Sequence, residues 1–177
     1  MTEVSSTLSR LSAYDLSAGI FARGLTGLKT VLRKGEAYAA VSGRPPAELI
    51  EAQLAADMNN LGVQVHWAVE GAKLAIARLL GAAPAVCAND TKSFADFQQR
   101  IDMTIAYLSS LAAQDLEAGF DRVIALETRG GTKNFNGSQF LVEFAIPNFF
   151  FHVTTAYAIL RHEGVELTKG DFMGGWG

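Results

Sequence analysis

Asn148 and His152 stand four residues apart in the run Pro147-Asn148-Phe149-Phe150-Phe151-His152. On a helix, positions i and i+4 lie one above the other on a single face. Leu141, Phe144/Ala145, Thr155/Ala156 and Ile159 recur with them at helical spacing, so this face is predicted to turn towards a core. Two polar side chains placed there cost roughly a few kcal/mol unless they are hydrogen-bonded. They therefore need partners. An earlier helical stretch offers some: Asp57, Asn60/Leu61, Gln64, Ala68 and Gly71 share a face, and its small residues leave room beside Gln64. A polar cluster of Asp57, Gln64, Asn148 and His152 within a helical bundle is the candidate site. It can serve as a ligand-binding cleft around His152, or as a hydrogen-bonded network that fixes helix register.

The remaining reactive residues point elsewhere. His66 shares its face with Asn59, Glu70 and Lys73, which reads as a solvated surface. His162 falls in the last turn of its helix, where a cation suits the helix dipole. Cys87, the single cysteine, sits in an apolar loop with nothing nearby to activate a thiolate. One cysteine excludes an intramolecular disulfide framework and any multi-cysteine zinc site. Glu70, Asp102 and Glu143 are scattered without a pairing signal. The sequence holds no glycine-rich phosphate loop, no H-E-x-x-H, no Glu-x-x-His pair and no G-x-S-x-G elbow. No catalytic residue is assigned.

Four helices position these groups. Tyr14, Leu16, Ile20, Phe21, Leu28, Val31, Leu32 and Tyr38 form the stripe of a first helix, which ends at Ser42-Gly43-Arg44-Pro45-Pro46. Pro46 suits a fresh helix start. Asp57 opens the second main helix, closed by Gly81 and Pro84. Thr91 or Ser93 caps a third, with Phe94, Phe97, Ile101, Ile105, Leu108 and Leu111 as its stripe. Arg122 to Glu127 and Thr132 to Phe135 read as a hairpin turning at Gly130-Gly131. Asn136-Gly137-Ser138 caps the fourth helix, from about Gln139 to Arg161, where Pro147 predicts a kink or local break. Gly164 closes it. The tail with Phe172 and Trp176 is expected to pack loosely. The class is all-α: an antiparallel four-helix bundle with a short β-hairpin before the last helix. Twenty-seven alanines against four prolines agree with that class.

At about 150 residues per domain, 177 residues make one domain, taken as 1–177. Hydrophobic residues make up 49%, enough for a core, and charged residues 19%, below the usual quarter or so. The net charge of −3, with no basic stripe, argues against nucleic-acid binding. Met1 to Ser12 has no apolar segment of the signal-peptide kind, and the apolar run from Leu79 to Ala88 is about half of what a bilayer needs. A soluble, cytoplasmic protein without a membrane partner is expected. The sparse charge also predicts a homodimer that covers an apolar patch.

Several segments closely resemble the DUF1993 family: Ala56-Asp57-Met58 with Gln64-Val65, the long run Pro147 to Tyr157, Leu160 to Gly164, and Lys169-x-Asp171-Phe172. The resemblance spans Tyr14 to Gly174. It implies the DinB/YfiT-like four-helix bundle, a superfamily of metalloenzymes, many of them dimeric. Such bundles supply three histidines to a divalent metal, two of them at i and i+4 on one helix. Here His152 matches the second of that pair and Asn148 occupies the first, while the third position falls to His66, Gln64 or Asp57. The resemblance thus implies His152 as a metal ligand without a complete triad, and it brings no particular reaction. Two functions follow as expectations: a small-molecule-binding or degenerate metal-dependent protein with a polar cleft around His152, or a non-catalytic dimeric interaction protein with a purely structural polar core.

Overall fold

A computed structural model describes residues 11–128 and 130–175. Residues 1–10, which hold most of the stretch read for a signal peptide, lie outside the described residues, as does Trp176. The described residues form α1 (Ala13–Leu16), α2 (Ala18–Ser42), α3 (Pro46–Glu51), α4 (Leu61–Leu80), α5 (Phe94–Ser109), α6 (Ala113–Phe120), β1 (Val123–Thr128), β2 (Gly131–Asn136), α7 (Gly137–Phe140), α8 (Ile146–His162) and α9 (Lys169–Phe172). A π-helical turn, Leu141–Ala145, joins α7 to α8.

The expected first helix is broken once, at Ser17, whose backbone leaves the helical region while its hydroxyl donates to the Ala13 carbonyl. The second main helix starts later than expected. Asn60, not Asp57, is its cap: the Asn60 side chain accepts the Val63 N–H at 2.9 Å. Asp57 lies in the exposed turn before it. Ser93 caps α5, and Gly81 ends α4 in the left-handed conformation that a Cβ disfavours. Helix α6 was not anticipated. Its Ala-Gln-Asp-Leu-Glu-Ala-Gly-Phe run has only Leu116 and Gly119 buried, too little apolar periodicity to read. The hairpin does not turn at Gly130-Gly131, because Gly131 already pairs with Thr128 as the first residue of β2.

The bundle is built from α2, α4, α5 and α8. Lys29 of α2 pairs with Asp102 of α5, while Gly35 lies against Phe94, so α2 and α5 run antiparallel. Gly24 meets Phe149 and Gly35 meets Leu160, so α2 and α8 run parallel. Gln64 meets His152 and Gly71 faces Asn148, so α4 and α8 are antiparallel. The order is therefore up-down-down-up. That order requires one long link, and residues 82–93 supply it, returning along α4 to start α5.

The core face of α8 is Phe149, Val153, Ala156, Ile159 and Leu160. Phe149 sits edge-to-face on Phe21 with ring centroids 5.1 Å apart. The stripe proposed from sequence thus lies about one residue off: Asn148 and His152 stand on the flank of the helix, half-buried, beside the core. The reason is competition for the interior. Burying a phenylalanine is worth roughly 1.5–3 kcal/mol, which an amide or imidazole cannot match.

The tail is not loose. Val165 and Leu167 are buried, and Phe172 packs edge-to-face on Tyr157. The Phe172 carbonyl approaches Gly27 so closely that a Cβ there would lie 2.0 Å from it.

Candidate functional site

Gln64 is 2% exposed, on the first turns of α4, and it organises the site. Its Nε2 donates to the Asn59 carbonyl at 3.2 Å. A carbonyl can only accept, so the Gln64 amide must turn its Oε1 the other way, where His152 Nδ1 lies at 2.8 Å. His152 Nδ1 therefore carries the proton, and Nε2 presents a lone pair. Burial pushes the His152 pKa below its ordinary value of 6.5, which keeps the ring neutral near pH 7.

The imidazole borders a cleft of about 290 Å³ on the flank between α4 and α8. Gly71 and Ala75 line it from α4, Asn148 from α8 and Ala145 from the π turn. A Cβ at Gly71 would lie 3.6 Å from Asn148 Nδ2, so the glycine keeps open the space in front of that amide. The Asn148 side chain makes no hydrogen bond to another described residue. Trp67 borders the cleft, and Phe140, Phe144 and Leu126 line it further along. Phe140 and Phe144 stack at 5.8 Å across the π turn. That turn precedes Pro147, whose missing N–H cannot continue an ordinary helical ladder. The π geometry thus brings aromatic surface to the cleft. From the sequence, Pro147 predicted a disturbance but not its form.

Of the four residues proposed from sequence, Gln64 and His152 are bonded, Asn148 and His152 line the cleft, and Gln64 is buried without lining it. Asp57 is exposed in the turn before α4 and is not among the residues lining the cleft. Its place on the Gln64 face presupposed a helix beginning at Asp57, and the Asn60 cap removes that premise. Arg78 was missed. It lines the cleft, its Nη1 donates to the Leu74 carbonyl at 3.3 Å, and its guanidinium lies 5.9 Å from the Phe140 ring centroid. Gly71, Ala75 and Arg78 recur at helical spacing, a signal that could have found it.

A divalent metal fits this donor set poorly. Among its described lining residues the cleft presents one imidazole and two asparagines, Asn59 and Asn148, whereas zinc takes His, Cys and carboxylate ligands in a tetrahedral array. Among the described residues no three His, Cys, Asp or Glu side chains are grouped to hold a metal ion.

A second polar centre lies on the opposite flank of α4, and it corrects the reading of that face as solvated. Glu70 is 0% exposed and His66 5%. Glu70 Oε1 binds Lys73 at 2.8 Å and Arg100 at 3.2 Å, and Oε2 accepts the Cys87 N–H at 3.0 Å. Burial works to raise the Glu70 pKa, but the Lys73 bond, the Cys87 N–H and the charges of Lys73 and Arg100 outweigh it and hold the carboxylate ionised. His66 lies one turn before Glu70, and its Nδ1 finds no partner among the described residues. Burial, then the Arg100 charge, depresses its pKa. The link 82–93 covers this face, so its burial was invisible to helical periodicity. Cys87 itself is exposed, with Sγ 3.2 Å from Lys73 Nζ. His162 ends α8, as expected.

No helix among the described residues is long and apolar enough to cross a membrane. Among curated proteins none matches the chain. A crystal structure of a DinB family member protein from Shewanella denitrificans is 37% identical, with 91% of each chain covered and a TM-score of 0.84. The model of the family described as Domain of unknown function (DUF1993) matches residues 13–173. The bundle is thus DinB-like, and the chain belongs to the DUF1993 family.

Proposed function

We propose that this chain binds a small molecule in the α4–α8 cleft, with His152 as its polar anchor. The observation that carries the reading is the Gln64–His152 bond, which fixes the ring and leaves Nε2 as an acceptor beside the cleft. A merely structural network would consume the polar groups it contains. Here the Asn148 amide and one imidazole nitrogen are left over, in a cleft otherwise lined mainly by apolar groups. A mostly apolar concavity with a few fixed polar groups is the general form of a ligand site. The donor set supports binding without a metal, and no reaction is assigned to it.

The test is a saturation-transfer NMR screen with hydroxylated aromatic fragments. Wild type should bind members of the set. Gly71→Leu, which puts a side chain into the cleft beside Asn148 while favouring the helix, should abolish binding with an unchanged circular dichroism spectrum. His152→Ala should weaken the hydroxyl-bearing fragments about tenfold, the worth of one good hydrogen bond. Binding that survives in Gly71→Leu, or no binding by wild type, would overturn the reading.

A further inference from the structure

Resting on the cleft reading above, we infer that the ligand is a monocarboxylate whose mainly apolar body offers a hydroxyl to His152, its carboxylate held by Arg78 and Asn148. Among the described residues lining the cleft, Arg78 is the one permanently charged group, and His152 is neutral. Among the described residues no carboxylate lies within 4.0 Å of Arg78 to balance it. The guanidinium is held in place by other means: Nη1 donates to the Leu74 carbonyl, and the Phe140 ring lies beside the cation. A half-buried, positioned cation without a counter-ion selects an anion, and a guanidinium fork matches a carboxylate with two parallel bonds.

The placement brings in Asn148. Reaching back to the carbonyl of Leu74 sets the Arg78 head about one turn, roughly 5 Å, towards the N-terminus of α4. Gly71, which faces Asn148 Nδ2, is the next turn along. An anion at Arg78 therefore has the Asn148 amide as a second donor. One cation matches one negative charge, whereas a phosphate dianion would leave half of its charge unmet. The rest of the lining, Trp67, Leu74, Leu126, Phe140 and Phe144, suits an apolar or aromatic body.

The experiment is calorimetric titration with 3-phenylpropionate and with 3-phenylpropanamide, which has the same body without the charge. Wild type should bind the acid at least tenfold more tightly than the amide. Arg78→Gln should abolish that preference, and Arg78→Lys should retain part of it, with melting curves confirming that both variants fold. Equal binding of the two probes to wild type would overturn the carboxylate assignment while leaving the cleft reading standing. An acid preference that persists in Arg78→Gln would remove Arg78 as the anchor. If neither probe binds, this inference falls, and the neutral-fragment screen against Gly71→Leu decides the cleft reading separately.

Discussion

His152 Nδ1 donates to Gln64 Oε1 at 2.8 Å, and the direction of that bond is dictated by the Asn59 carbonyl on the far side of the amide. Long-range nitrogen–proton NMR should accordingly show a neutral His152 ring protonated at Nδ1 at pH 7. In Gln64→Glu, a carboxylate replaces the amide, and with Nε2 gone the bond to the Asn59 carbonyl is lost. An anion beside the ring stabilises the imidazolium, so the His152 pKa should rise relative to wild type. A fall, or no change, would show that Gln64 does not govern the ring.

Glu70 ties three segments together, since its carboxylate meets Lys73 on its own helix, Arg100 on α5 and the Cys87 N–H of the 82–93 link. Removing one member of a buried ion pair typically costs about 3–5 kcal/mol. Lys73 and Arg100 are partly exposed, so water relieves them, and Glu70→Ala should cost about 2–3 kcal/mol in a urea melt. The Cys87 amide should then exchange its proton markedly faster, because its acceptor is gone. A stable variant with an unchanged Cys87 amide would remove the anchoring role.

The contrast between Gln64 and Glu70 explains what was legible in the sequence. The 3.6-residue period revealed the four main helices, because each hides one stripe of side chains and Ser93, Gly81 and Gly164 punctuate them. It also singled out Gln64, Asn148 and His152, polar residues close to apolar stripes. Period alone could not separate the flank of α8 from its core, since Asn148 and Phe149 are neighbours and either could face inward. Nor could it foresee Glu70, whose burial comes from a non-helical link far along the chain. Asp57 failed for a local reason: Asn60 competes for the same helix start and makes the capping bond.

Acid should weaken the fold through two histidines. Burial lowers the folded-state pKa of both His152 and His66 below 6.5, the value expected when unfolded. Between the two pKa values the unfolded chain binds more protons, so stability rises with pH there. Their contribution is fully present above pH 6.5 and is lost as pH falls through that value towards the depressed folded pKa. Urea midpoints should therefore drop between pH 7.5 and 5.5. In the His66→Gln, His152→Gln double variant this drop should shrink, and an equally steep one would place the titrating groups elsewhere.

The tail should come away from the bundle when Gly27 acquires a side chain. At Gly27 a Cβ would lie 2.0 Å from the Phe172 carbonyl oxygen and 3.0 Å from its carbon, and backbone cannot swing aside as a long side chain can. Gly27 sits inside α2, where alanine is intrinsically better by roughly 1 kcal/mol. The helix itself should therefore persist, and the clash should fall on α9. Detachment gives up the Phe172–Tyr157 contact and the pairing of Lys34 with Asp171 at 2.8 Å. The exposed ion pair is worth at most about 1 kcal/mol, so most of the loss comes from the aromatic packing. Gly27→Ala should lower stability by about 1–2 kcal/mol and speed proteolysis after Lys169 while leaving the helical signal almost unchanged. Gly43→Ala is the control: a Cβ there meets nothing within 4 Å, although its φ of 72° carries local strain. Its loss in stability should come with no change in cleavage at Lys169, and equal cleavage in the two variants would show that the tail is not held through Gly27.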